Sequence, residues 1–95
     1  MAAYLIFTRI RTTDSAAMEQ YTSLARASLA SQPVTPLVAY GEQQILEGDA
    51  HEGMVVMSFP DRETALGWYN SPAYVEARSH RLRGAQYQVT LVQGV

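Results

Sequence analysis

Met54-Val55-Val56-Met57-Ser58-Phe59 decides the fold, because the run is apolar on both faces instead of alternating. A strand of that kind needs cover on two sides. Pro60 stops it, and on its other flank Gly48-Asp49-Ala50-His51-Glu52-Gly53 reads as a polar hairpin connection bracketed by glycines. Upstream of that connection, Leu37 to Tyr40 and Gln43 to Glu47 look like two halves of one long strand broken at Gly41-Glu42. Downstream, Asp61 is placed to cap a short helix through Ala65, Leu66, Trp68 and Tyr69. Ser71-Pro72 restarts a second helical segment, with serine as N-cap and proline in the first turn, and Gly84 closes it.

The two ends of the chain complete the pattern. From Tyr4 to Ile10 the residues are rich in β-branched and aromatic types. Tyr4, Ile6, Thr8 and Ile10 face one way, and Leu5, Phe7, Arg9 and Arg11 the other. After the cap candidates Thr12-Thr13-Asp14-Ser15, the residues Met18, Tyr21, Leu24, Ala25 and Leu29 recur near the helical period. That helix should end near Ser31-Gln32-Pro33. At the far end, Tyr87, Val89 and Leu91 alternate with Gln86, Gln88 and Thr90, as in a half-buried strand. The order strand, helix, strand, strand, broken helix, strand is the ferredoxin-like βαββαβ arrangement, an α+β fold with helices on one face of a four-stranded antiparallel sheet. One domain spans residues 1–95.

Helices on one face leave the other open, yet Met54–Phe59 and the Leu5/Phe7 set predict apolar groups there too. Exposed apolar area costs roughly 25 cal/mol per Å². A homodimer packed sheet to sheet is therefore expected, the alternative being a monomer with an exposed ligand-binding sheet.

Composition excludes several chemistries. There is no cysteine, so disulfides, thiolate nucleophiles and cysteine-held metals are ruled out. There is no lysine, so neither a Schiff base nor a P-loop lysine is available. A net charge of −2 offers no basic patch for phosphate backbones, so nucleic acid is not expected as a partner. The apolar opening Met1–Phe7 is too short for a signal sequence, and no run approaches the ~18 apolar residues of a membrane span. A cytoplasmic protein without membrane contact is expected.

Leu46-Glu47-Gly48-Asp49, Val55-Val56, Phe59-Pro60 and Trp68-Tyr69-Asn70-Ser71-Pro72-Ala73-Tyr74, with Ala3-Tyr4 and Val92-Gln93-Gly94-Val95 at the ends, resemble the signature of domain-of-unknown-function family 1330. The likeness spans the chain and is densest from residue 46 to 81. It implies the dimeric α/β-barrel superfamily, which includes cofactor-free monooxygenases, lactone isomerases, polyketide cyclases and haem-handling enzymes. A shared fold does not transfer a reaction. The family's arginine after the Ser-Pro helix start is matched by Arg81. Its usual Gly-Gly pair and Arg-Gly are replaced here by Gln32-Pro33 and Tyr40-Gly41, which removes one anion contact if that arginine makes one in relatives.

Several groups could carry chemistry. Tyr74, Ala77, Arg78 and Arg81 share a helix flank, so a phenol and two guanidiniums could hold a carboxylate or enolate. The competing reading is solvated arginines bridging to Glu76 and the partner subunit. Trp68 and Tyr69 either pack the core or wall a pocket between helix and sheet. Glu47 ends a strand, where it is a base or a turn cap. Glu47, Asp49 and His51 alternate in a manner that resembles a metal-ligand set, but acidic turns are common and no metal is expected. His80 suits proton transfer by type, although an exposed or interface position fits it better.

The candidate catalytic residues are thus Arg81, Tyr74 and Glu47, and the candidate ligand contacts are Trp68, Tyr69, Ser71, Arg78 and Tyr40, with no cofactor. Two functions fit. One is a dimer that binds a small anionic or enolisable organic compound, with cofactor-independent isomerase, cyclase or monooxygenase chemistry. The other is a non-catalytic ligand-binding or structural dimer.

Overall fold

A computed structural model describes all residues from Met1 to Val95. Strand β1 spans Ala3–Thr12, α1 Ser15–Leu29, β2 Thr35–Ala39, β3 Gly53–Phe59, α2 Arg62–Tyr69, α3 Pro72–Gly84 and β4 Ala85–Gln93. The strands pair antiparallel in the order β2-β3-β1-β4. With three helices on one face, this is the ferredoxin-like α+β architecture that the element order predicts.

Each helix starts where a side chain satisfies an otherwise unbonded N–H. Asp14 accepts from Ala17 N at 3.2 Å, Asp61 from Thr64 N at 2.7 Å and Ser71 from Tyr74 N at 3.3 Å. Gly84 ends α3 where α3 meets the start of α1. A Cβ there would lie 3.0 Å from the Met18 side chain, and its carbonyl accepts from Thr13 and Asp14.

The core lies between helices and sheet. Leu5, Phe7, Met57 and Phe59 from β1 and β3 pack under Ala65, Trp68, Tyr74 and Ala77. The register Leu5↔Met57 and Phe7↔Val55 places these on the helix side. By alternation Tyr4, Ile6, Thr8, Met54, Val56 and Val92 stand on the open side. Leu5 and Phe7 therefore do not contribute to the second face, contrary to the sequence reading. They are 2% exposed beneath the helices, and the open face takes its apolar character from Ile6, Met54, Val56, Val38 and Val92.

The second correction concerns Gln43 to Glu47, which form no strand. β3 begins at Gly53, and the last backbone bond along this edge runs from Tyr40 N to Met54 O at 2.9 Å. Beyond that point β3 offers no strand to pair with, and Gln43 meets the chain only through its side chain, which donates to His51 O at 3.0 Å. Tyr40 takes φ +57°, a left-handed conformation that turns the chain off the sheet into an exposed loop.

Candidate functional site

The alternation that buries Leu5 and Phe7 carries the same face of the sheet to Tyr87 on β4, while the helical period of α1 brings Tyr21, Ala25 and Leu29 over it. Between them lies a cavity of about 460 Å³, lined mostly by apolar groups including Phe7, Tyr21, Leu29, Met57, Trp68 and Tyr87. A ligand site of modest size has such dimensions and such a lining. Tyr40 and Arg26 also border it, but no Asp, Glu or His does.

One end of the cavity is polar. Tyr21 Oη lies 2.8 Å from Tyr74 Oη, and Tyr40 Oη is hydrogen-bonded to Tyr87 Oη. Behind these phenols sits Arg81, only 4% exposed. Its guanidinium carbon stands 5.0 Å from the centre of the Tyr87 ring and 5.9 Å from that of Phe7. Its Nε is buried without a hydrogen-bond partner. No carboxylate pairs with it, because the chain's ion pair joins Arg9 to Glu52. A buried guanidinium is normally compensated by an acid, so this one supplies uncancelled positive field to the phenols around it.

Burial pushes the Tyr21, Tyr74 and Tyr87 hydroxyls above the ordinary phenol range. For Tyr21 the Tyr74 phenol adds to that rise, and for Tyr87 the Tyr40 phenol does. For Tyr74 the Tyr21 hydrogen bond, the Arg81 charge and hydrogen bonding from Arg81 oppose the effect of burial. These hydroxyls are therefore protonated donors near neutrality, not bases.

Of the residues that the sequence singles out, Trp68 and Tyr40 line this cavity, whereas Arg81 and Tyr74 lie behind the lining, against the Tyr87 ring and the Tyr21 hydroxyl respectively. Arg81 is not the solvated arginine that the competing sequence reading considered. Trp68 lines the wall while its indole N–H donates to Ser28 Oγ at 3.0 Å. Tyr69 and Arg78 lie outside the lining, with the Arg78 guanidinium carbon 4.5 Å over the Tyr69 ring. Ser71 is engaged at the start of α3, where it also donates to Trp68 O at 2.7 Å. Glu47 lies in the exposed loop beside a separate surface groove that includes His51. Nowhere do three or more His, Cys, Asp or Glu side chains converge as a metal site would require. His80 is engaged by Arg83 at 2.7 Å.

Sequence reasoning places Tyr21 and Tyr87 only as members of a helical and a strand pattern, not as site residues. Both lie on inward-facing positions, Tyr21 with Met18 and Leu24, Tyr87 with Val89 and Leu91. A polar tip on an inward face was the available signal. Arg9 was also missed. It follows Leu5 and Phe7 on the inward parity and stacks 4.6 Å over Tyr40, tied to Glu52 at 2.9 Å.

A family model described as Domain of unknown function (DUF1330) matches residues 2–95. The chain belongs to that family. No curated protein matches this DUF1330 member. Among solved structures it is similar to a protein of unknown function from Rhodopseudomonas palustris, with TM-score 0.79 and 14% identity, covering 99% of this chain and 82% of that one. It is also similar to a dimeric ferredoxin-like protein of unknown function from Bacteroides fragilis, with TM-score 0.69 and 11% identity over 98% and 96% of the two chains. A third similar structure is SnoaB, a cofactor-independent oxygenase from Streptomyces nogalater, with TM-score 0.63 and 12% identity over 99% and 93%. At such identities the DUF1330 member shares their fold. No helix in it is long and apolar enough to cross a membrane.

Proposed function

We propose that this protein is a cytoplasmic homodimer that binds a small, partly apolar organic anion in the cavity between α1 and the sheet, with the charge directed toward Arg81. The observation that carries this reading is Arg81, a residue only 4% exposed, whose guanidinium has neither a carboxylate beside it nor an acceptor for its buried Nε. Retaining an unpaired buried charge costs several kcal/mol, and a ligand anion is the group that would offset it. Dimerisation is supported by the apolar open face around Ile6, Met54 and Val56 and by the dimeric form of the Bacteroides fragilis neighbour.

Where the bound compound is enolisable, the same donors would hold its developing negative oxygen, which suits cofactor-independent isomerase, cyclase or oxygenase chemistry. The Streptomyces neighbour, named a cofactor-independent oxygenase, makes that class the natural one to assay. The cavity supplies no carboxylate or imidazole base. Turnover would therefore draw on substrates that ionise readily.

Trp68 is the sole tryptophan and lines the cavity, so its fluorescence reports occupancy. Titration with aromatic anions should quench or shift it, whereas neutral compounds of the same shape should act far more weakly. Loss of that discrimination in Arg81→Met would support the reading. Equal binding of anions and neutral analogues to the unaltered protein would overturn it. Native mass spectrometry across a protomer dilution series tests the dimer, and a monomer at every concentration would refute that part.

A further inference from the structure

We infer that the polar end of the cavity selects a single delocalised oxyanion, the phenolate or enolate form of a weak oxygen acid on a flat apolar body, in preference to a carboxylate. This inference rests on the cavity reading above and specifies its ligand class.

Hydrogen-bond accounting supplies the first argument. Tyr21 bonds to Tyr74 and Tyr40 to Tyr87, and in each pair either oxygen can be the donor. A phenol pair has two hydroxyl hydrogens and uses one between its members. Each pair therefore retains one O–H with no protein acceptor. Tyr21 and Tyr87, one from each pair, both line the cavity. Arg81 adds an unpaired Nε–H and a positive charge behind them. The end thus offers unpaired hydrogens and a positive charge with no carboxylate or imidazole beside them, which fits a group that accepts and bears negative charge.

Geometry supplies the second argument. A carboxylate is best met by a guanidinium fork presented edge-on, giving two parallel bonds. Arg81 offers no such fork to the cavity, since it is absent from the lining and lies beside the Tyr87 and Phe7 rings. Besides Arg26 at its border, what the cavity presents directly are neutral hydroxyls, and the Arg81 charge stands behind those of Tyr21 and Tyr87. Bonds of the O–H···O⁻ type to one oxygen are short and strong. The walls of Phe7, Trp68 and Tyr87 suit a flat, delocalised body beside that oxygen.

A third argument concerns the proton. No Asp, Glu or His borders the cavity, and the lining phenols are donors, so nothing there accepts a proton from the ligand. The ligand must enter ionised or release its proton to bulk buffer. Either route favours an acid whose anion is accessible near neutral pH.

The test uses 4-nitrophenol, whose ionised form absorbs in the visible, alongside 4-nitrobenzoate, which is already ionised, and 4-nitrobenzyl alcohol, which stays neutral. In the presence of excess protein, the ionisation midpoint of 4-nitrophenol should fall by about one pH unit or more. Trp68 quenching should show 4-nitrophenolate binding at least about tenfold more tightly than 4-nitrobenzoate. The double variant Tyr21→Phe/Tyr87→Phe keeps both rings and removes one lining hydroxyl from each pair. It should remove most of the midpoint shift and of the preference for 4-nitrophenolate over 4-nitrobenzoate, with circular dichroism confirming an unchanged fold.

An unshifted or raised midpoint with 4-nitrobenzoate bound as tightly or more so would overturn the inference and leave the anion cavity standing. Binding of 4-nitrobenzyl alcohol equal to that of both anions would remove the cavity reading itself. Should the double variant unfold, each single Tyr→Phe variant still decides the matter. Each should reduce the shift, and a full shift retained in both singles would count against the donors named here.

Discussion

Replacing Arg81 by methionine should make the ligand-free protein more stable while removing its affinity for anions. The guanidinium is buried beneath Phe7, Tyr74 and Tyr87 with no acid beside it, and its Nε makes no hydrogen bond. Burying an ion costs several kcal/mol after relaxation. Against that stand its contacts with the Tyr87 and Phe7 rings at 5.0 and 5.9 Å, worth about 0.5–2 kcal/mol each. Methionine fills most of the same volume and makes favourable sulfur–ring contacts. The net gain should be about 1–3 kcal/mol. For a domain of this length that raises Tm on the order of 5–20 °C. Urea unfolding at fixed protomer concentration, with calorimetry alongside, measures the change. A loss of more than about 1 kcal/mol with an unchanged denaturant slope would refute the reasoning, because it would mean that the native chain already satisfies the charge.

Other consequences are as direct. The Tyr40 ring lies against Gly53, where a Cβ would come within 2.7 Å of Tyr40 Cδ1. Gly53→Ala should therefore displace that phenol from the cavity border, and acrylamide quenching of Trp68 should rise in it as in Tyr40→Ala. No rise in either variant would show that Tyr40 does not screen the cavity. Raising pH through the ordinary tyrosine value of about 10 should destabilise the fold. The folded-state pKa of the buried Tyr74 lies above its unfolded value, so its contribution is complete below that value and is lost as pH climbs past it. The loss approaches about 1.4 kcal/mol per pH unit for each phenol that must stay protonated, and Tyr74→Phe should flatten the alkaline limb of a urea-midpoint profile. An unchanged limb would contradict the burial of that hydroxyl. Ser71→Ala should cost about 1 kcal/mol through the lost helix cap and leave anion binding intact. Weakened binding at equal stability would instead make Ser71 a ligand contact.

The fold was legible because its signals are local. Asp14, Asp61 and Ser71-Pro72 announce helix starts by chemistry that acts within three residues, and the structure uses each of them as a cap. Gln43 to Glu47 shows the limit of such reading. Its composition permits a strand, but a strand exists only beside a partner, and β3 begins too late to provide one. Leu5 and Phe7 show another. Alternation separates two faces without saying which face meets the helices, and that assignment depends on packing across the whole sheet.

The candidate site was legible in part. Arg81 and Tyr74 fall on one helix flank by spacing alone, and both are buried behind the Tyr87 and Tyr21 phenols that line the cavity. Tyr21 comes from α1, 53 residues before Tyr74, and Tyr87 from β4, beyond the end of the helical period, so helical spacing pairs neither of them with that flank. Glu47 and Ser71 stood out through their chemical type and the motif around them. In three dimensions one projects from an exposed loop and the other is consumed by a helix cap.

The central claim, an anion site created by a buried and uncompensated Arg81, is tested most directly by anomalous diffraction from crystals soaked in bromide. The account predicts a bromide ion in the cavity within hydrogen-bond reach of the Tyr21 and Tyr87 hydroxyls in the unaltered protein, and none there in Arg81→Met. Bromide confined to the outer surface in the unaltered protein, or seated equally in both proteins, would contradict it.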